Sequence, residues 1–172
     1  MKRLGIALFI LAVIALVLFA VWKIQDMSPR YHYRLGRQAQ NEHDYETAIE
    51  QYSRVAQLDS HYPNIFLWRG GCYYVLDQLD LALADCDRHI GLRPNDDLGY
   101  QLRGDAHMVK GDCRLAIVDY TRSIELQPNN ARAYRDRADA YPHVASNESV
   151  RMEASRIHKN RENPVVPRGT TG

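Results

Sequence analysis

The sequence predicts an all-α protein: a solenoid of stacked helical hairpins preceded by one transmembrane helix. Three observations point there. Residues 4–22, LGIALFILAVIALVLFAVW, run nineteen positions without a charge. The segments 29–62, 63–96 and 97–130 align without a gap at a period of 34 residues. Within that period small and aromatic residues recur at fixed places, with polar turns and prolines between the helical stretches.

The N-terminal element comes first. At ~1.5 Å per residue the uncharged run makes roughly 28 Å of helix, close to the ~30 Å of bilayer hydrocarbon. Thirteen of its nineteen residues are Leu, Ile, Val or Phe. Their summed insertion free energy is on the order of −4 to −8 kcal/mol. The run exceeds the ~7–15 residues of a cleavable signal peptide's apolar region, and LFAVWKIQDM offers no small-x-small cleavage site. Residues 1–3 therefore read as a short tail, 4–22 as an uncleaved signal anchor and 23–28 as a linker. No two small residues recur at i, i+4 in the run, so it carries no GxxxG-type dimer motif and reads as a tether. Lys2 and Arg3 favour an N-terminus inside, whereas Lys23, Arg30, Arg34 and Arg37 pull the other way. The expected arrangement is a single-pass protein with its domain on the periplasmic side of a bacterial inner membrane. The alternative is a domain facing the cytoplasm.

The repeats follow. Numbering each unit from 1, position 8 carries Gly36, Gly70, Gly104 and then Ala138, and position 20 carries Ala48, Ala82 and Ala116. Position 24 is Tyr52, Cys86 and Tyr120, position 30 is Leu58, Leu92 and Leu126, and position 32 is Ser60, Pro94 and Pro128. Small residues at 8 and 20 let two antiparallel helices approach closely. Ala48, Tyr52 and Val55 fall at i, i+4 and i+7, one helical stripe. Pro94 and Pro128 stop the second helix of a hairpin, and NEHD at 41–44 and KGD at 110–112 are polar turns. One hairpin cannot bury its own apolar face, so neighbours must stack to make the core. A degenerate fourth unit, 131–162, keeps Tyr134, Ala138 and Tyr141, and Pro142 is expected to stop its first helix early. Val150, Ala154 and Ile157 make one stripe of a closing helix over 147–160. The repeat domain thus spans 29–162, and NPVVPRGTTG at 163–172 is expected to be a disordered tail.

At these positions the chain resembles the tetratricopeptide-repeat family. The family pattern asks for an aromatic at 4, a large apolar residue at 7, a small one at 8 and an aromatic at 11. It continues with Ala at 20, an aromatic at 24, Ala at 27 and Pro at 32. Leu35, Gly36, Ala48 and Tyr52 match in the first unit, and Phe66, Gly70, Tyr73 and Ala82 in the second. Tyr100, Gly104, Ala116, Tyr120 and Pro128 match in the third. The departures are His32 at position 4, Arg69 and Arg103 at position 7, and His89 at position 27.

The resemblance implies a right-handed α-solenoid whose concave face, lined by the first helix of each hairpin, binds a protein or peptide ligand. Family positions 2, 5, 9, 12 and 13 carry that contact. They place Arg30, Tyr33, Arg37, Asn41, Asn64, Leu67, Tyr74, Gln101, Asp105 and Arg135 in a partner-binding groove. Tyr33, Leu67 and Tyr74 are its expected apolar anchors, with arginines at both ends and acids in the middle. Chaperone-binding family members clamp a peptide carboxylate with Lys and Asn drawn from three repeats. Here the third unit offers Gln101, Leu102 and Asp105 where basic partners would be needed, so no such clamp is expected.

Other chemistry is sought and not found. Net charge is +1, and the 22 basic residues include Lys2 and Arg3, so the rest of the chain nearly balances its 21 acids. A mixed surface of that kind suits protein contacts, and no nucleic-acid partner is expected. Cys72, Cys86 and Cys113 form no CxxC pair. Cys72 and Cys86 fall on the two helices of one hairpin, where either a disulfide or two small buried hydrophobes would fit. Of seven histidines, His32, His89 and His107 replace core or interface residues, and neither HExxH nor an i, i+4 His pair occurs. No metal, cofactor or catalytic residue is expected, since GxSxG, a Walker loop and a partnered Cys–His are all missing. The expected function is a membrane-tethered adaptor assisting assembly of an envelope or membrane complex. Alternatives are a cytoplasm-facing receptor or co-chaperone-like module, and a self-associating structural protein. The sequence does not give the oligomeric state.

Overall fold

The computed structural model describes residues 2–26, 28–144 and Met152. Seven helices follow in order: α1 Lys2–Asp26, α2 Pro29–Asn41, α3 Tyr45–Leu58, α4 Ile65–Val75, α5 Leu79–Leu92, α6 Asp97–Lys110 and α7 Cys113–Leu126. An eighth, α8, covers 131–144, and no strand occurs among the described residues. The helices pair as hairpins α2–α3, α4–α5 and α6–α7, with α3 against α4, α5 against α6, and α4 touching α6. This is the stacked-hairpin solenoid the 34-residue period requires.

The turns show how local sequence sets the period. Position 15 of each unit, just past the first helix of the hairpin, adopts the left-handed conformation: His43 at φ 61°, Asp77 at φ 58° and Gly111 at φ 82°. Only the third unit uses glycine, the residue that occupies this region without a Cβ penalty. Asp44 then caps α3 by accepting a hydrogen bond from the Thr47 backbone N–H at 3.0 Å. Hydrogen bonding from the Thr47 side chain, and then from its backbone, holds the Asp44 carboxyl below the usual value. Arg93 and Gln127 cap α5 and α7, and Pro94 and Pro128 follow directly, as expected.

The core is the same three positions repeated. Ala48, Tyr52 and Val55, then Ala82, Cys86 and His89, then Ala116, Tyr120 and Ser123 are each at most 2 % exposed. The glycine at position 8 makes room for the residue at position 24. A Cβ on Gly36 would lie 2.6 Å from the Tyr52 ring, and one on Gly104 would lie 2.7 Å from the Tyr120 ring. Gly70 faces a looser site because position 24 there is Cys86; its nearest neighbour would be Asp85 Cβ at 3.3 Å.

The departures from the family pattern prove to be compensated. His89 replaces a small residue, and across from it the third position of the next unit is Gly99, where a Cβ would meet the imidazole at 2.7 Å. Its Nε2 sits 3.1 Å from the Asp96 carboxylate. Arg69 grips Asp85 of its own hairpin with two bonds of 2.7 Å and donates a third to Ser53 of the preceding unit at 3.0 Å. Arg103 repeats the arrangement with Asp119 and with Asp87 one unit back. Arg137, at the same position in the fourth unit, reaches Thr121 at 3.4 Å. Position 7 is therefore a clip between successive hairpins. Two-bond Arg–carboxylate pairing fixes geometry as well as charge. Asp85 and Asp119 are nearly buried, at 8 % and 4 % side-chain exposure. Removing Asp85 would strand the Arg69 guanidinium, a loss that costs about 3–5 kcal/mol in buried pairs, whereas Arg103 keeps Asp87 when Asp119 is lost.

All three cysteines are free and buried, so Cys72 and Cys86 are small core residues of their hairpin. Burial pushes the Cys72 thiol up to about 11 and the Cys86 thiol up to about 12. Neither is a reactive thiolate at neutral pH.

Two expectations need correction. Among the described residues no helix is long and apolar enough to cross a membrane. The single-pass assignment, with its domain on the periplasmic side, is overturned on that ground. Second, α8 continues to 144, past Pro142. Pro142 withholds only the donor that the Ala138 carbonyl would use, and the described helix runs through it. The expected closing helix 147–160 and the tail 163–172 lie outside the described residues.

Candidate functional site

The first helices of the hairpins, α2, α4, α6 and α8, carry the residues of the expected groove. Its two ends differ in chemistry. At the α2/α4 end, the Tyr33 ring lies 5.3 Å from Tyr62 and 6.3 Å from the buried Tyr52. The Arg37 guanidinium stacks 4.3 Å over the Trp68 ring. A cavity of about 350 Å³ opens between them, lined by Arg30, Tyr33, Tyr62, Pro63, Asn64 and Trp68. Asn64 caps α4 from a left-handed conformation, φ 58°, and its side chain makes no cap bond. Its Oδ1 is buried with no hydrogen-bond partner. Arg30 is exposed, and neither Arg30 nor Arg37 meets an acid among the described residues.

At the α6/α8 end the charged groups already hold one another, although Gln101 Nε2 is buried without a hydrogen-bond partner among the described residues. Asp105, 9 % exposed, accepts from the Tyr120 hydroxyl at 2.9 Å and from Arg132 Nη2 at 2.8 Å. Arg132 also donates to Asp136 at 3.2 Å. Asn130 bridges Asp97 at 3.2 Å and Gln101 at 3.4 Å. Burial raises the Asp105 carboxyl above its ordinary value, outweighing the Tyr120 bond and the Arg132 charge. Burial likewise raises the Tyr74 phenol, which feels Asp105, Arg132 and Asp136.

The residues expected from the sequence fall into three groups. Arg30, Tyr33, Arg37 and Asn64 gather around the aromatic cavity or on its Trp68 wall. Tyr74 and Asp105 belong to the second network, beside Gln101. Leu67 and Gln101 are turned into packing, 8 % and 5 % exposed, while Asn41 and Arg135 are exposed at helix surfaces outside both clusters. Sequence reasoning passed over Trp68 and Tyr62. The signal for Trp68 was present: it lies four residues after Asn64, on the same helical face.

The geometry can be set beside known proteins. A tetratricopeptide-repeat family model matches residues 33–97 and 102–142. No curated protein sequence matches significantly. Among solved structures, the first TPR domain of human RPAP3 is similar at 26% identity and a TM-score of 0.67, covering 71% of this chain and 98% of that one. The first TPR of Spaghetti (RPAP3), solved bound to the HSP90 peptide SRMEEVD, is similar at 25% identity and a TM-score of 0.66, over 68% of this chain and 93% of that one. MamA shares the fold, at 20% identity and a TM-score of 0.69, over 88% of this chain and 84% of that one. With the family match spanning most of the described hairpins, the glycine–tyrosine contacts in register and the hairpins stacked in order, this chain belongs to the tetratricopeptide-repeat family.

Proposed function

We propose that this protein is a non-catalytic adaptor that binds an extended peptide segment of a partner protein in the groove lined by α2, α4, α6 and α8. The observation that carries the reading is the likeness, along 68% of this chain, to a repeat module solved with a peptide bound. The unpaired arginines and open aromatic cavity at one end of the groove support it, because exposed aromatics and arginines dominate interface energetics. The ligand chemistry need not copy that of the HSP90 peptide. Leu98, Gln101 and Leu102 line the third unit where a carboxylate would need cations, and the arginines nearby are engaged, Arg132 by Asp105 and Asp136 and Arg103 by Asp119 and Asp87.

The test is position-specific photocrosslinking in cells. A benzophenone side chain at Tyr74, in the groove, should trap a partner that the same group at Glu46, on the exposed side of α3, does not. Equal trapping at both positions, or trapping at Glu46 alone, would remove the groove from the account.

A further inference from the structure

We infer that the α2/α4 end of the groove is a side-chain subsite for an acidic peptide segment carrying one aromatic residue, so that this end reads the partner's sequence. The inference rests on the groove-binding reading above and commits it to a ligand class and a location. Three observations carry it.

The cavity of about 350 Å³ is lined by three aromatic residues, Tyr33, Tyr62 and Trp68, together with Pro63. Rings so placed accept another ring by offset or edge contact. The charged residue of its lining is an arginine. Arg30 stands at the rim and Arg37 lies over Trp68, and neither has an acidic partner among the described residues. A cationic rim around an aromatic pocket favours carboxylates beside the seated ring and disfavours Lys or Arg there. The third observation is Asn64 of the same lining, whose buried Oδ1 has no hydrogen-bond partner among the described residues. A buried acceptor left unsatisfied is costly, and a peptide N–H of the incoming segment is the donor it lacks. At the opposite end Asp105, Tyr120, Arg132 and Asp136 are bonded to one another. A ligand must break those bonds before it can use them.

The experiment selects random 12-residue peptides displayed on phage against the immobilised full chain. Synthetic copies are then titrated by fluorescence anisotropy against the wild type, Trp68→Ala, Arg30→Glu and Tyr74→Ala. The expected result is enrichment of an aromatic residue flanked by Asp or Glu. Trp68→Ala and Arg30→Glu should each weaken binding roughly tenfold or more, as loss of a central anchor does. Trp68 also packs against the core cluster, so the exposed Arg30→Glu keeps the test decisive if Trp68→Ala unfolds. Selected peptides without acids, or binding unmoved by Arg30→Glu but lost in Tyr74→Ala, would overturn the subsite and leave the groove reading standing. A selection that yields no binder overturns both.

Discussion

The two ends of the groove are built from the same repeat positions and the same residue types, arginines, tyrosines and polar side chains, yet they end in opposite states. At the α6/α8 end Asp105 is covered and its oxygens are taken by Tyr120 and Arg132. At the α2/α4 end Arg30 and Arg37 have no acid to meet and Asn64 Oδ1 has no donor among the described residues, and a cavity stands open beside them. A charge with its partners in place holds the fold together. A charge without them is available to a ligand. The difference teaches that groove residues named by repeat position alone mix two roles, and that the pairing of their charges separates them.

Outside the Arg69–Asp85 pair, the largest effect expected is structural and falls at the α6/α8 end. Gly104→Ala would push a Cβ to 2.7 Å from the Tyr120 ring, whose hydroxyl holds Asp105. Overpacking of this kind costs about 1–3 kcal/mol, visible as a lower urea midpoint. Gly70→Ala, with its nearest contact at 3.3 Å, should stay within about 1 kcal/mol of wild type, since the helix-propensity gain offsets a small shift. Equal losses at the two glycines would break the argument that position 24 sets the tolerance.

Asp105→Ala comes next. It leaves the Tyr120 hydroxyl buried without an acceptor, for a loss of about 1–3 kcal/mol in denaturant titration. Arg30→Glu at the open end should stay within about 0.5 kcal/mol of wild type. The Asp105 carboxyl also predicts a pH effect. Its folded value is raised above the ordinary 3.8, so between the two values the folded state holds a proton the unfolded state has released. Its contribution to stability therefore grows as pH falls through the folded value, and is complete below 3.8. The wild type should gain on Asp105→Asn over that window and show a constant difference at higher pH. A wild type that loses ground there would reverse the sign and with it the claim that burial dominates this site.

The smallest effect is a control outside both ends. His43→Gly relieves a left-handed histidine at φ 61° at the loss of an exposed bond between His43 Nδ1 and the Tyr45 hydroxyl. A gain of about 0.5–1 kcal/mol is expected in thermal melts. No gain would mean that the turn geometry is not strained.

Much of the fold was legible in the letters. A period of 34 with small residues at 8 and 20 fixes hairpin spacing, and the stripe Ala48, Tyr52, Val55 is fully buried as the i, i+4, i+7 pattern requires. What the pattern hid is compensation between partners far apart in sequence. Arg69 at an apolar position looks like an error until Asp85 and Ser53 are seen to surround it. His89 looks oversized until Gly99 is seen opposite. Trp68 was missed because position-by-position reading follows the family's contact positions, whereas the cavity is made by rings from α2, the loop before α4 and α4 itself. The membrane span failed for another reason: it was judged from the composition of nineteen letters, and the described helices do not supply an apolar stretch of sufficient length.

The most direct test crosses stability with binding in one set of proteins. Wild type, the double variant Arg30→Glu with Arg37→Glu, and Asp105→Ala are each titrated with denaturant and with the acidic aromatic peptide that the wild type selects. The account predicts a double variant that keeps its unfolding midpoint and loses the peptide, and an Asp105→Ala that unfolds earlier yet binds while folded. The contrary result is an arginine variant that keeps full affinity while Asp105→Ala loses it, which would place recognition at the end assigned here to structure.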